Sequence, residues 1–589
     1  MTVDHDDWGL VQRRVIAKAI AELAYEQVIE VESPDGAYWS LKVDNGISYA
    51  FGAWQTIWDF LRIDAQSLRR IADDGDEELD AARFYREIRP RTRMSDMTFA
   101  NFIDELQRTL YGDLLLLQSR NDSPSFADLS DDDMQSLLEG HPKILLNKGR
   151  VGWGKEDWSR YSPESRQHFA LNWIAVRNEC LTRGLSADLS WTDLLAKTMG
   201  PESLDGLLSA MEREQLPRNA YTPMPVHPWQ WDNVVALHHL AASARRDIVS
   251  LGIHGDHYRP QTSLRTLSNI GDPRRYQIKL SLSVLNTSCI RGISGQYIDI
   301  APALSEKLQT ICEQDRVLVR TRCLRDRAGA FVAQPDYHAV PAAPYRFLET
   351  LGAIWRESPV DHLAHNERCV PAAALHQKDG GRSLASTLIS RSALPASAWV
   401  KCYAQEVIVP LYHLQVKYGI GLVAHGQNIT LRLIDGVPSG IFLKDFQGDL
   451  RLAQDDRPEL DAFACFGTRL TRLPAQHLIH DLLTGHFVTV LRFMSACLAE
   501  DDAFPETEFY RIVACAIDEY HAAHPELAPR WSKLGLDMPT IARVVVNRVR
   551  FQIGYGDSDA RPLPTLGTDL QNPLFLSYFA RKPSDEPSV

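Results

Sequence analysis

Two short stretches bring together residue types that could do chemistry. His425-Gly426-Gln427-Asn428 is followed by a hairpin pattern and then by Lys444-Asp445-Phe446. An Asn at the start of one strand and an Asp at the end of its partner can converge on one point. Asn and Asp oxygens suit Mg²⁺, which proteins bind together with phosphate oxygens. The pair Asn428 and Asp445 is therefore a candidate Mg²⁺-nucleotide site. The bland alternative is a turn Asn and a solvent-facing strand-end Asp.

A second collection is cationic. Ser263-Leu264-Arg265-Thr266 offers two hydroxyls and a guanidinium, and Lys279, Thr287 and Arg291 follow. If the first segment is a strand, Ser263 and Arg265 share a face. Arg, Lys and Thr together suit carboxylate or phosphate recognition, although scattered Arg in an Arg-rich chain is usually solvated. No GxxxxGK[ST], GxGxxG, HExxH or GxSxG pattern occurs. His141 and His227 each precede a proline, and a lone His in that setting is more often structural than catalytic.

These groups need elements to hold them. Tyr276–Leu285 alternates over ten residues, with Tyr276, Ile278, Leu280, Leu282 and Val284 on one face. Gln277, Lys279, Ser281 and Ser283 take the other, so the segment reads as a strand with a polar cleft wall or a solvated face. Ile429–Ile434 and Gly440–Phe446 read as a hairpin about the turn-forming loop 435–439. Residues 37–53 read as a second hairpin around Asp44-Asn45-Gly46. Helical periodicity marks 10–23, 97–118, 402–418 and much of 475–525. Leu478–Leu498 is the longest apolar run, but it carries Asp481, His486 and Arg492 and reads as a buried helix.

At 589 residues the chain exceeds one core and should divide into subdomains. With 44% hydrophobic and 24% charged residues it is an ordinary globular composition. A net charge of −13 argues against a general nucleic-acid binder. No apolar stretch is long and uncharged enough to span a membrane, and the acidic start Asp4-His5-Asp6-Asp7 lacks the features of a signal peptide. Nine scattered cysteines without a CxxC point to a reducing, cytoplasmic setting rather than disulfides or zinc. Lys supplies 14 of the 63 basic residues, yet Lys143, Lys148, Lys155, Lys279 and Lys444 fall in motif-like segments, where a compact ammonium differs from a planar fork.

The stretches GHPKILLNKGRVGWG (140–154), PVHPWQWD (225–232), SLRTLSN (263–269), KLSLSVLNTSCIRGI (279–293), YGIGLVAHGQNITL (418–431) and LKDFQGDLRL (443–452) resemble the IucA/IucC family of siderophore synthetases, of the type independent of non-ribosomal peptide synthetases. DWGLVQRRVIAKAIAELAYEQV (7–28) and LIHDLLTGHFVTVLRF (478–493) extend the resemblance along the chain. It is strongest to the IucC-like branch.

The resemblance implies an α+β fold shaped as a three-part cradle. Residues 1–139 would be a helical thumb, 140–395 the fingers and 396–589 the palm, with antiparallel sheets in fingers and palm. It implies an ATP-dependent, AMP- and pyrophosphate-forming carbon–nitrogen ligase using Mg²⁺. Ser263, Arg265, Thr266, Lys279, Gln427, Asn428 and Asp445 would line the ATP site, with Asn428 and Asp445 on the metal. Thr287, Arg291 and His425 would lie nearest the carboxylate, making His425, Arg291 and Lys279 the catalytic set. His141, Lys148 and Arg150 would approach the phosphates from another side. Relatives imply a homodimer acting on small molecules.

Two departures bear on the substrate. Citrate-using relatives often have HPxHP where this chain has Ile144 and Leu145, and Glu before AHxQN where it has Val423. Both favour an amidated citrate or a succinyl hydroxamate, joined to a hydroxamate-bearing amine, over free citrate. Two rival readings are a kinase-like small-molecule phosphotransferase, weakened by Gln427 standing directly before Asn428 with no Asp base, and a non-enzymatic scaffold that keeps the fold.

Overall fold

The computed structural model describes residues 3–554 and 565–579, apart from 45, 73, 74, 76, 77, 122 and 288. The chain opens with helix α1 (His5–Tyr25), started by the Asp4 side chain, which accepts from the amides of Asp6 and Asp7. Its apolar stripe packs with the hairpin β1 (Tyr38–Lys42) and β2 (Ser48–Gln55) and with helix α2 (Asp96–Asn121). The hairpin pairs Lys42 with Ser48 as the sequence leads one to expect, and Asn45 of its turn lies outside the described residues. A short helix α3 (Asp131–Gln135) then leads into the loop 140–154.

The middle of the chain builds an eight-stranded antiparallel sheet. Its strands are β3 (Phe169–Arg177), β4 (Thr182–Leu185), β5 (Tyr221–Val226), β6 (Ile248–Pro260), β7 (Thr266–Asn269) and β8 (Gln277–Leu280), then β12 (Asp326–Phe331) and β13 (Gly352–Arg356). They lie in the order β4-β12-β13-β8-β7-β6-β3-β5. The expected single strand Tyr276–Leu285 breaks at Ser281, whose amide still donates to Gly352. The chain then leaves the sheet as β9 (Leu282–Asn286), which pairs with β10 (Cys289–Arg291) and bridges through Leu285 to Val151 of the loop 140–154.

The last unit is built on a four-stranded sheet. Strand β11 (Thr321–Cys323) runs parallel to β16 (Val437–Leu443), which pairs with β15 (Ile429–Ile434), and that with β14 (Glu367–Pro371). The packing does not part at 395/396, because β11 and β14 and the segment 372–389 share the core of the C-terminal helices. The hairpin turn is Asp435-Gly436 alone, both at positive φ (50° and 80°). Val437 already pairs with Ile434, so β16 starts three residues before Gly440. Gly440 serves a close approach instead: a Cβ there would lie 2.4 Å from the Arg320 carbonyl oxygen.

The helix expected over 402–418 begins at Ala396 and reaches Val416 through a π-helical segment, Ala404–Ile408. The run Ala475–Asp502 is continuous helix, long and apolar enough to cross a membrane, but 89% of its apolar window is buried in the protein. It is a core helix. The whole is an α+β fold whose sheets are mainly antiparallel.

Candidate active site

Strand alternation decides what faces the site. Ile278 and Leu280 of β8 point into the apolar core with Leu267 and Trp355. Gln277 pairs with Arg356 and Lys279 with Thr266 and Ile354, which puts Lys279, Thr266 and Arg356 on the opposite face. That face is buried rather than solvated: Lys279 is 5% exposed and Arg356 2%. What covers it is the loop after β16.

Asp445, at φ 71°, turns its carboxylate onto this face. One of its oxygens accepts from Lys279 Nζ and, at 3.4 Å, from Arg356. Arg356 in turn donates through Nε to Asp326, at 2.8 Å, and Gln447 reaches the other Asp326 oxygen. Burial pulls the Lys279 ammonium down to about 8, against the opposing pull of Asp445, so it remains protonated at neutral pH. Lys279, Arg356 and Arg265 hold the Asp445 carboxyl far below the usual range against the effect of burial. Asn428 stands across the hairpin, its carbonyl accepting from the Lys444 amide. Its side-chain amide donates to Val423 O at 3.0 Å and to Asp449 at 3.4 Å.

Ser263–Arg265 is a turn rather than a strand, with Leu264 at φ 69° and fully buried. Ser263 Oγ accepts from the Thr266 amide, and Arg265 donates to the carbonyl of Gly292, the residue after Arg291. The turn thereby ties the sheet face to the β9–β10 hairpin. There Arg291 donates through Nη2 to Thr287 Oγ1, while its buried Nε has no partner. Thr287 sits at φ 61°. The neighbouring Ser288 lies outside the described residues.

His141 and His425 sit close enough to each other and to Arg291 for their charges to interact. Burial, chiefly, holds His141 well below 6.5, with the positive neighbours His425, Lys18, Lys143 and Arg291 adding to the effect. Burial also lowers His425, partly offset by Asp449 and Asp445. Both rings use Nδ1 as an acceptor: from the Lys143 and Ile144 amides for His141, and from the Gln427 amide for His425, all at 3.2 Å. A neutral imidazole with Nδ1 accepting carries its proton on Nε2. Both histidines therefore present N–H donors, not bases, through that nitrogen.

Two expected phosphate ligands do not join this group. Arg150 is 2% exposed and clamps Glu164 through both Nη atoms at 2.7 and 2.8 Å, stacked on Trp158. Lys148 is 2% exposed and bound to Asp113 at 2.6 Å and to the Glu139 carbonyl at 2.7 Å. Both brace the loop that carries His141. Arg150→Met is expected to cost about 3–5 kcal/mol of stability, because it strands a buried Glu164 carboxylate. Activity per folded molecule should stay near wild type, as thermal melting and turnover on the same preparation would show. His227 is likewise structural: it is fully buried between Tyr161 and Phe169 and accepts from the Trp229 amide.

The site also holds groups that the motif reading did not assign. Arg356 lies in Gly352-Ala353-Ile354-Trp355-Arg356, where no pattern marks it, and only the β8–β13 register brings it to Asp445. Asp449 lies inside the LKDFQGDLRL stretch, four residues past Asp445, and was within reach of the hairpin argument.

Comparisons with known proteins give the chain its relatives. Residues 132–377 match the IucA / IucC family. Residues 397–558 match a family described as ferric iron reductase FhuF-like transporter. In that region Cys402, Cys465, Cys497 and Cys515 are thiols, and no group of three metal-ligating His, Cys, Asp or Glu side chains forms among the described residues. Aerobactin synthase of Escherichia coli is 40% identical over 580 residues, covering 98% of this chain and 99% of that protein. The structure of aerobactin synthetase IucC from Klebsiella pneumoniae superposes with a TM-score of 0.86 at 39% identity, covering 98% and 100% of the two chains. The ATP-bound structure of aerobactin synthetase IucA from the same organism shares the fold, with a TM-score of 0.78 at 18% identity over 97% and 100%. The chain belongs to the IucA/IucC family and is an enzyme of siderophore biosynthesis.

Proposed function

We propose that this enzyme is an ATP-dependent carbon–nitrogen ligase that adenylates a carboxylate, releases pyrophosphate and passes the acyl group to a hydroxamate-bearing amine, making the amide of a hydroxamate siderophore. The observation that carries the reading is the convergence of Lys279, Arg356 and Arg265 on Asp445, beside Arg291 and two neutral histidines. Adenylation brings two anions together, and fixed positive charge in a partly dry cleft offsets their repulsion.

In this reading the cradle of thumb, fingers and palm takes ATP between the polar face of the eight-stranded sheet and the β15–β16 hairpin. Ser263, Arg265, Thr266, Lys279, Gln427 and Asn428 line that space. Asn428 and Asp445 would hold Mg²⁺, with Asp449 beside them. These are hard oxygen donors and too few to fill its shell alone, as expected for an ion shared with phosphates. Bound there, the ion would neutralise phosphate charge. Arg291, with its unpartnered Nε, clamps the carboxylate, and Thr287 orients the clamp. The Nε2–H groups of His141 and His425 donate to the carboxylate and to the oxygen that gains charge as the amine attacks. The attacking amine arrives as its free base, and the proton it sheds on forming the amide goes to solvent or to the phosphate of the departing AMP rather than to those nitrogens.

A kinase would need a base beside the acceptor hydroxyl. Gln427, directly before Asn428, cannot serve. Carboxylate-dependent exchange of pyrophosphate into ATP tests the proposal, and its absence with every carboxylate of the class would refute it. A homodimer, part of the same reading, is checked by the mass in solution.

The carboxylate should be a citrate monoamide or a succinyl hydroxamate. Ile144, 9% exposed and anchored through its amide to His141, and Val423, at the cavity that Asn428 and Asp445 line, are apolar walls. Each polar substrate group left unpaired against them costs about 1–3 kcal/mol. Free citrate is therefore expected to support exchange at least about tenfold more weakly than an amidated or succinylated acid. Equal turnover of citrate would contradict this.

A further inference from the structure

Lys444 takes no part in the reading above, yet it stands inside the cleft. It follows β16 by one residue, and by alternation it falls on the side of Phe442 and Thr430. Phe442 packs there against Leu324 and Cys369, away from the main C-terminal core. Lys444 also lines the small cavity shared by Asn428, Asp445 and Asp449. Its ammonium forms no ion pair among the described residues; the Asp445 oxygen that pairs is taken by Lys279 and Arg356. Asp131 and Asp132 of α3 and Asp445 lie near enough for their charges to act on it, though none pairs with it among the described residues, and Arg356 opposes them. Asp132 is held in place by Ser268, on the same sheet face as Thr266, and one oxygen of the 5%-exposed Asp131 has no partner.

Burial lowers the Lys444 ammonium from its usual value, against the pull of Asp131 and Asp445, and leaves its donors with no acid in contact among the described residues. The chemistry that would use them is a polyanion entering the cavity. We propose that Lys444 is a further phosphate-contacting residue, closing on the triphosphate of ATP beside Asn428 and Asp445 at the cavity they share. The inference rests on the adenylation reading and extends it. A lysine fits this task, since a compact ammonium on a flexible stem can turn from one set of oxygens to another.

The test is pyrophosphate exchange on K444M and K444R with ATP and carboxylate varied separately. K444M should raise the ATP KM about tenfold or more and lower exchange at low ATP about 10²-fold. The carboxylate KM should move less than about threefold, and K444R should recover most of the loss. An ATP KM within about twofold of wild type, or equal rises in both KM values, would overturn the proposal. If K444M does not fold, K444Q decides on the same readout: a raised ATP KM with the carboxylate KM unmoved supports the contact, and an unchanged ATP KM overturns it. Wild-type enzyme that exchanges no pyrophosphate would instead refute the underlying adenylation reading, so the two failures are distinct.

Discussion

Arg291→Ala is expected to lose about 10²–10³ in pyrophosphate exchange, or roughly 3–4 kcal/mol of transition-state stabilisation, while its melting temperature changes little. The guanidinium, at the end of β10, is half-buried, donates one hydrogen bond through Nη2 to the neutral hydroxyl of Thr287 and leaves Nε without a partner. No carboxylate forms an ion pair with it among the described residues, so truncation strands no buried anion and the fold loses little. Lysine should rescue poorly, because a point charge cannot reproduce a bidentate fork on a carboxylate. A large fall in melting temperature with exchange per folded molecule unchanged would make Arg291 a brace for the loop at Gly292 and would move the carboxylate site elsewhere.

Asp445→Asn should cost both stability and activity. The carboxylate faces the ammonium of Lys279 and the guanidinium of Arg356, both almost fully buried. Removing its charge leaves two cations facing each other, a loss of about 3–5 kcal/mol. Lys279, already lowered to about 8 by burial, should fall further and be neutral at physiological pH. Exchange per folded molecule should drop about 10²–10³-fold, and added Mg²⁺ should restore little of it. The check is exchange against Mg²⁺ concentration, with the folded fraction followed by melting. Full exchange at ordinary Mg²⁺ would remove Asp445 from the site.

Much of this site was legible because hairpins and alternating strands place residues by simple periods. The polar face with Lys279 followed from alternation, and the meeting of Asn428 with Asp445 followed from the hairpin register. The turn was misplaced because Pro438, Ser439 and Gly440 are turn formers as good as Asp435 and Gly436. Only the backbone showed that Gly440 is spent on the approach of Arg320. The break at Ser281 was invisible because the alternation continues through it, while the partner strand changes. Arg150 was misassigned for a related reason. Its sign and motif position suited a phosphate, but its carboxylate, Glu164, is supplied by a short helical turn 14 residues on and reaches it only through tertiary packing. Arg356 was missed because an arginine at a strand end carries no signal until the register opposite it is known.

The most direct test of the account is the nucleotide product. Enzyme incubated with ATP, Mg²⁺, a citrate monoamide or succinyl hydroxamate and a hydroxamate-bearing amine should form AMP and pyrophosphate in step with the amide. ADP and phosphate as the only nucleotide products, or an acid that emerges phosphorylated rather than amidated, would contradict it.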